Sequence, residues 1–191
     1  LMILIDNLRY DQWKTIEPLV VEDYNIKKNI VYTSILPTTT QYCRNSIFSG
    51  LSPIDINKFH PNYWVNETDE GGKNKYEDEL INEQFLRLGI KSNYKYHKIL
   101  NPKDGESFLN RMSNEKQNEL TVMVYNFVDM ISHAKKDVKF IKELASSDRA
   151  YRELTKGWFK NSKLNEIIKK GKDLGFKIII TSDHGTINVD K

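Results

Sequence analysis

Runs of consecutive apolar residues punctuate the chain at "LMILI" (1–5), "IVYTSIL" (30–36), "TVMVYNFV" (121–128) and "FKIIIT" (176–181). They are too continuous and too β-branched for strands with one wet face. They predict strands covered on both sides, as in a parallel sheet. Between them the apolar residues return every three or four positions: Trp13, Ile16, Leu19 and Val20 in 11–22, Leu80, Ile81, Phe85 and Leu88 in 77–88, and Leu164, Ile167, Ile168 and Leu174 in 160–174. That spacing predicts amphipathic helices, and 40–51 reads as a further one. Strand and helix alternate, so the fold class is α/β: a mainly parallel sheet with helices on both faces, wound from βαβ units. Residues 53–76 have no clear period, several aromatics and a Gly-Gly, which predicts a long irregular loop. The charged stretches 103–118 and 137–158 predict helical insertions, with Trp158 and Phe159 packed inward.

Length and composition narrow the setting. The 191 residues, 39% hydrophobic and 29% charged, suffice for one well-buried domain and not for two large ones. A net charge of +3, spread without long single-sign blocks, gives no electrostatic argument for nucleic acid. The single cysteine, Cys43, excludes an internal disulfide and suits a reducing, cytoplasmic setting. No apolar run approaches the roughly 18 residues of a membrane span, so no membrane partner is expected. The chain opens on a strand already under way and stops just after "TSDHGTINVDK", which predicts residues 1–191 to be one domain truncated at both ends.

Residues of catalytic type collect where these runs end. Asp6 follows the first, Thr38 to Thr40 the second, Asp129 and His133 the third, and Asp183 and His184 the fourth. Singly, each has an ordinary explanation. Strand-end aspartates begin turns, threonines cap helices, Asp129 and His133 are an i,i+4 pair, and Gly185 suits a turn. Jointly they are harder to dismiss, because the carboxyl ends of the strands in an open α/β sheet form its ligand crevice. Carboxylate and imidazole are the zinc ligands of sites without thiolates. Four or more such ligands with a hydroxyl fit two metals that clamp the attacking and leaving oxygens of a phosphoryl displacement.

The Asp6 exit, the segment "PTTTQYCRNSIFSG" from Pro37 to Gly50, the "DMISH" pair and the "SDHG" exit together resemble the PglZ branch of the alkaline phosphatase superfamily, as in PorX-type response regulators of type IX secretion. The resemblance spans nearly the whole chain and implies an alkaline-phosphatase-like fold. It implies that Asp6, Asp183 and His184 hold one zinc, shared with the nucleophile, and that Asp129 and His133 hold a second. Counting from Pro37 and Gly50 makes Thr40 that nucleophile, with Thr38 and Thr39 as cap and packing residues. The family takes a further histidine for the second metal from a region beyond "SDHG". His60 and His97 lie upstream and read as surface or packing histidines, so the second site is expected to be incomplete and this segment weakly active or inactive.

The resemblance implies a zinc-dependent phosphodiesterase acting on linear or cyclic oligonucleotides, as the effector of a two-component regulator with an upstream receiver domain. A homodimer stays open as a further partner. Arg44, four residues after Thr40 and on the same helix face, is a candidate clamp for phosphoryl oxygens. Phe59, Tyr63 and Trp64 are candidate stacking groups for bases, although such aromatics more often fill cores. Two other classes remain: a phosphomonoesterase or related hydrolase of the same superfamily, and a non-catalytic regulatory module in which metal stabilises a dimer. A haloacid-dehalogenase reading of "LIDNLRYD" fails, because position 8 is Leu8 where a second acid is needed. A receiver-domain reading fails as well, because the acids lie at separate exits.

Overall fold

The computed structural model describes residues 1–66, 68–126 and 147–186. Its centre is a four-stranded, wholly parallel sheet of β1 (Met2–Ile5), β2 (Tyr94–Ile99), β3 (Leu120–Tyr125) and β4 (Ile179–Thr181), in the order β2-β3-β1-β4. Seven α-helices are seen among the described residues: α1 (Tyr10–Val21), α2 (Thr40–Ser49), α3 (Pro53–Phe59), α4 (Glu77–Leu88), α5 (Pro102–Arg111), α6 (Asp148–Asn161) and α7 (Lys163–Asp173).

The side chains of β1 alternate between two cores, which is why its sequence is apolar throughout. Ile3 and Ile5 enter a core with Ile16 and Val20 of α1, Phe108 of α5, Phe159 of α6, and Leu164, Ile167 and Ile168 of α7. Leu4 enters the other, with Phe48 of α2, Ile56 of α3, and Leu80 and Ile81 of α4. Helices therefore cover both faces of the parallel sheet, as the alternation of patterns predicts.

Three expectations are corrected. Residues 30–36 form no strand: Ile30 and Val31 are each 63% exposed and Leu36 86%. Among the described residues the β-branched run has no ladder partner, and it lies beside the end of β4, with Tyr32 Oη 3.4 Å from Thr181 Oγ1 and Ser34 Oγ donating to the Asp183 carbonyl at 2.9 Å. The remaining sheet position belongs to β2, "YKYHKI", whose lysines and histidine hide it in sequence. Among the described residues it is an edge strand, paired with β3 alone, with Tyr96 opposite Val122. Residues 53–76 are also more regular than expected. Ser52 Oγ accepts from the N–H of Asp55 and Pro53 opens α3, a legible start signal. The helix expected over 160–174 is divided at Ser162, whose Oγ accepts from the Asn165 N–H to begin α7. Of the third apolar run, residues 127 and 128 lie outside the described residues, as do Asp129 and His133.

Candidate functional site

The parallel pairing of β1 and β4, with Leu4 opposite Thr181, sends Asp6 and Asp183 off the sheet side by side. Asn7 then turns the chain at φ 59°, a left-handed conformation that asparagine tolerates. Its N–H donates to Asp183 Oδ1 at 3.0 Å, and the His184 N–H donates to the same oxygen at 2.9 Å. Ser182 Oγ accepts from the Leu8 N–H at 3.0 Å and donates to the His184 carbonyl at 2.9 Å. The two turns are thereby stitched together. Gly185 is not in the left-handed region; a Cβ there would stand 2.9 Å from Cγ of Arg9 and 3.5 Å from its Cα, so close approach is what excludes a side chain.

The helix α2 supplies the hydroxyl. Thr39 occupies its N-cap without a capping side-chain bond, and Thr38 and Thr39 are exposed. Thr40, the first helical residue, places Oγ1 3.0 Å from His184 Nε2, which itself lies 3.6 Å from Asp6 Oδ1. Asp6 and Asp183 are each 1% exposed and His184 is 7%. One ligand atom from each of the three lies within 4.8 Å of the others, the one such group among the described residues. Two buried carboxylates and an imidazole are a donor set that fits a divalent cation.

Arg44 lies on the face of α2 that carries Thr40, as the spacing predicts, and is 1% exposed. Its Nε donates to Asp183 Oδ2 at 2.9 Å, Nη2 pairs with the Asp6 carboxylate, Nη1 reaches Glu77 Oε1 at 3.3 Å and Nη2 reaches Asn126 Oδ1 at 3.5 Å. Burial works against the charge, but Asp183, Asp6 and Glu77 together outweigh it and hold the guanidinium above its ordinary pKa. Arg44 is therefore a fixed cation beside the carboxylates.

A cavity of about 450 Å³ opens from Asp6, Thr40 and Arg44. Its far wall comes from residues that motif reading missed: Glu77 at the start of α4, Tyr96 and Lys98 of β2, and Asn126. Glu77 is 1% exposed and accepts from Arg44, from Lys98 Nζ at 3.0 Å and from the Tyr96 hydroxyl. Burial foremost, and then the Glu77 charge, push the Tyr96 phenol above its usual pKa. Asn126 follows β3, so the rule that found Asp6 and Asp183 at strand exits could have found it too. Lys98 could not be placed without recognising β2.

The aromatic candidates stand elsewhere. Tyr63 lies between His60 and Tyr76, with ring centroids 6.2 and 5.5 Å away, and Trp64 meets Tyr42 edge-on at 5.6 Å. Both rest against the core beneath α2 and α4. Phe59 is 58% exposed at the end of α3. None of the three is among the described residues lining the cavity. His97 packs edge-on to Phe108 at 4.9 Å beside Glu115, and His60 lies 3.7 Å from Glu83.

Over residues 1–191 the chain matches the family model described as the BREX system PglZ alkaline phosphatase-like domain. No curated protein matches the chain.

Proposed function

The chain belongs to the PglZ alkaline phosphatase-like family, and on that premise we propose that it is a zinc-dependent phosphodiesterase whose nucleophile is Thr40. The observation that carries this reading is the 3.0 Å approach of the Thr40 hydroxyl to His184, within a buried group that also holds Asp6 and Asp183. Asp6, Asp183 and His184 would hold one zinc ion, which supplies Lewis-acid charge that favours an ionised hydroxyl and offsets charge on phosphoryl oxygens.

The chain's own residues supply the remainder. Thr40 stands at the first turn of α2, where unpaired N–H groups and the helix dipole favour negative charge on its oxygen and on a phosphoryl group before it. Arg44 adds a cation on the same wall, held in place by Asp6, Asp183 and Glu77. The Thr40 oxygen forms a bond to phosphorus as the bond to the leaving alcohol breaks. The threonine proton passes to solvent and the departing oxygen takes one up. Water then cleaves the phosphothreonine ester, which restores the hydroxyl and releases a phosphate monoester.

Asp129 and His133 are assigned to a second zinc, on the PglZ pattern. By resemblance to PorX-type regulators, the substrate is a linear or cyclic oligonucleotide and the domain is the effector of a receiver-bearing parent. The test is release of p-nitrophenolate from bis(p-nitrophenyl) phosphate by the metal-stripped full-length parent before and after zinc is added. Zinc-dependent release that Thr40→Ala abolishes is expected; release that ignores both zinc and the substitution would overturn the reading.

A further inference from the structure

Thr40 and Asp6 occupy only one end of the cavity. At the other end, Lys98 Nζ is held by Glu77 at 3.0 Å and by the Asn74 carbonyl at 2.9 Å, which leaves the third of its N–H donors for a ligand. Lys75 also lines the cavity. Its ammonium lies 4.7 Å from the Tyr76 ring centroid and has no carboxylate partner among the described residues. Lys73 is spent differently, on the carbonyls of Asn66 and Asp69.

The loop that carries Lys75 is fixed to the nucleophile's helix. The Asn74 amide donates to the Thr40 carbonyl at 3.2 Å and to Asn45 Oδ1 at 3.0 Å. Glu77, by binding both Arg44 and Lys98, ties the nucleophile's end of the cavity to the lysine end. Around the cavity Arg44, Lys73, Lys75 and Lys98 face Asp6, Glu77 and Asp78. Asp6 and Glu77 are already paired with Arg44 and Lys98, and Asp78 is exposed to solvent without an ion pair among the described residues, so Lys75 and the third donor of Lys98 remain for an incoming anion. A volume of about 450 Å³ is within the range of sites that enclose a small organic ligand, and well beyond what one phosphoryl group needs.

We propose that the Lys75–Lys98 wall is a subsite for a second phosphate on the substrate, carried by the leaving group while Thr40 faces the reacting phosphorus. The substrate class is thereby a phosphodiester whose leaving alcohol bears a further phosphate. The proposal rests on the phosphodiesterase reading for its orientation, and its anion site stands on the cavity alone.

The test compares calorimetric binding of the dinucleotide dApdA with the same dinucleotide carrying a terminal phosphate at the 5′ or the 3′ end. Thr40→Ala protein is used, so that neither ligand turns over. A terminal phosphate on one of the two ends is expected to tighten binding about tenfold. In Lys75→Ala, and separately in Lys98→Met, the ratio of the two affinities falls towards one. Lys75 is exposed, so its substitution leaves folding intact even if removing Lys98 from Glu77 does not. Equal affinity for the two dinucleotides, binding of neither, or a gain that survives Lys75→Ala would overturn the subsite. Cleavage of bis(p-nitrophenyl) phosphate by the full-length, zinc-loaded parent is scored separately: cleavage without the phosphate gain refutes the subsite alone, and the gain without cleavage refutes the phosphodiesterase alone.

Discussion

Thr40 differs from Thr38 and Thr39 by position rather than chemistry: one helical turn begins at its α-carbon, and that turns its hydroxyl to His184. Thr40→Ala should therefore lower turnover by at least about 10³-fold, as expected for the nucleophile of a cooperating group. Thr39→Ala, with no capping bond to lose, should stay within a few-fold of the parent in the same assay. Arg44 makes the opposite kind of contribution. Arg44→Met strips a buried cation from Asp6, Asp183 and Glu77 and should cost about 3–5 kcal/mol in denaturant unfolding. Zinc should raise the melting temperature of that variant more than that of the parent, because the ion then meets carboxylates without a competing guanidinium. Equal shifts would show that Arg44 does not share these oxygens with a cation. That Asp6, Asp183, His184 and Thr40 converge, with Arg44 on the helix face of Thr40, is legible in the sequence, because strand exits and helical spacing place them by elementary geometry; the burial of Arg44 is not. Nor is Glu77. An acid at the start of a helix is ordinarily read as a solvated partner of the helix dipole, and only the tertiary approach of Lys98 and Arg44 makes it a buried hub.

At the scale of elements, the apolar pattern located β1, β3 and β4 because all three carry continuous apolar runs. Leu4 and Val122 enter one core, Ile3 and Met123 the other. The pattern failed for 30–36 and for β2 in complementary ways. A β-branched run expresses propensity, and propensity becomes a strand only where a neighbour offers its ladder. An edge strand such as β2 needs one buried face, which Tyr94 and Tyr96 supply amid lysines. Ile30→Ser with Val31→Ser should therefore change unfolding free energy by no more than about 0.5 kcal/mol each, the usual range for exposed positions. A loss of several kcal/mol would mean that this run is covered after all. Ser162→Ala, which removes the cap dividing α6 from α7, should cost about 1 kcal/mol by the same measurement.

For the molecule as a whole, the parallel sheet is what turns distant motifs into one site, since it releases Asp6, Asn126 and Asp183 at the same edge. The packing beneath that edge has its own pH signature. Burial, chiefly, raises the Tyr125 phenol from an ordinary 10.0 to about 12. The unfolded chain thus gives up this proton first, so stability tied to the neutral phenol is whole below pH 10 and is lost as pH rises through about 12. Tyr125→Phe removes that titration and should flatten the fall of the urea midpoint over this window. The proposed phosphoryl transfer depends on one threonine facing one buried acid–imidazole group. The most direct measurement is the peptide mass of the segment containing Thr40 after reaction with bis(p-nitrophenyl) phosphate and a rapid acid quench. A p-nitrophenyl phosphate adduct on Thr40 is expected in zinc-loaded protein, and none in metal-stripped protein or in Thr40→Ala. Turnover accompanied by an adduct on any other residue would contradict it.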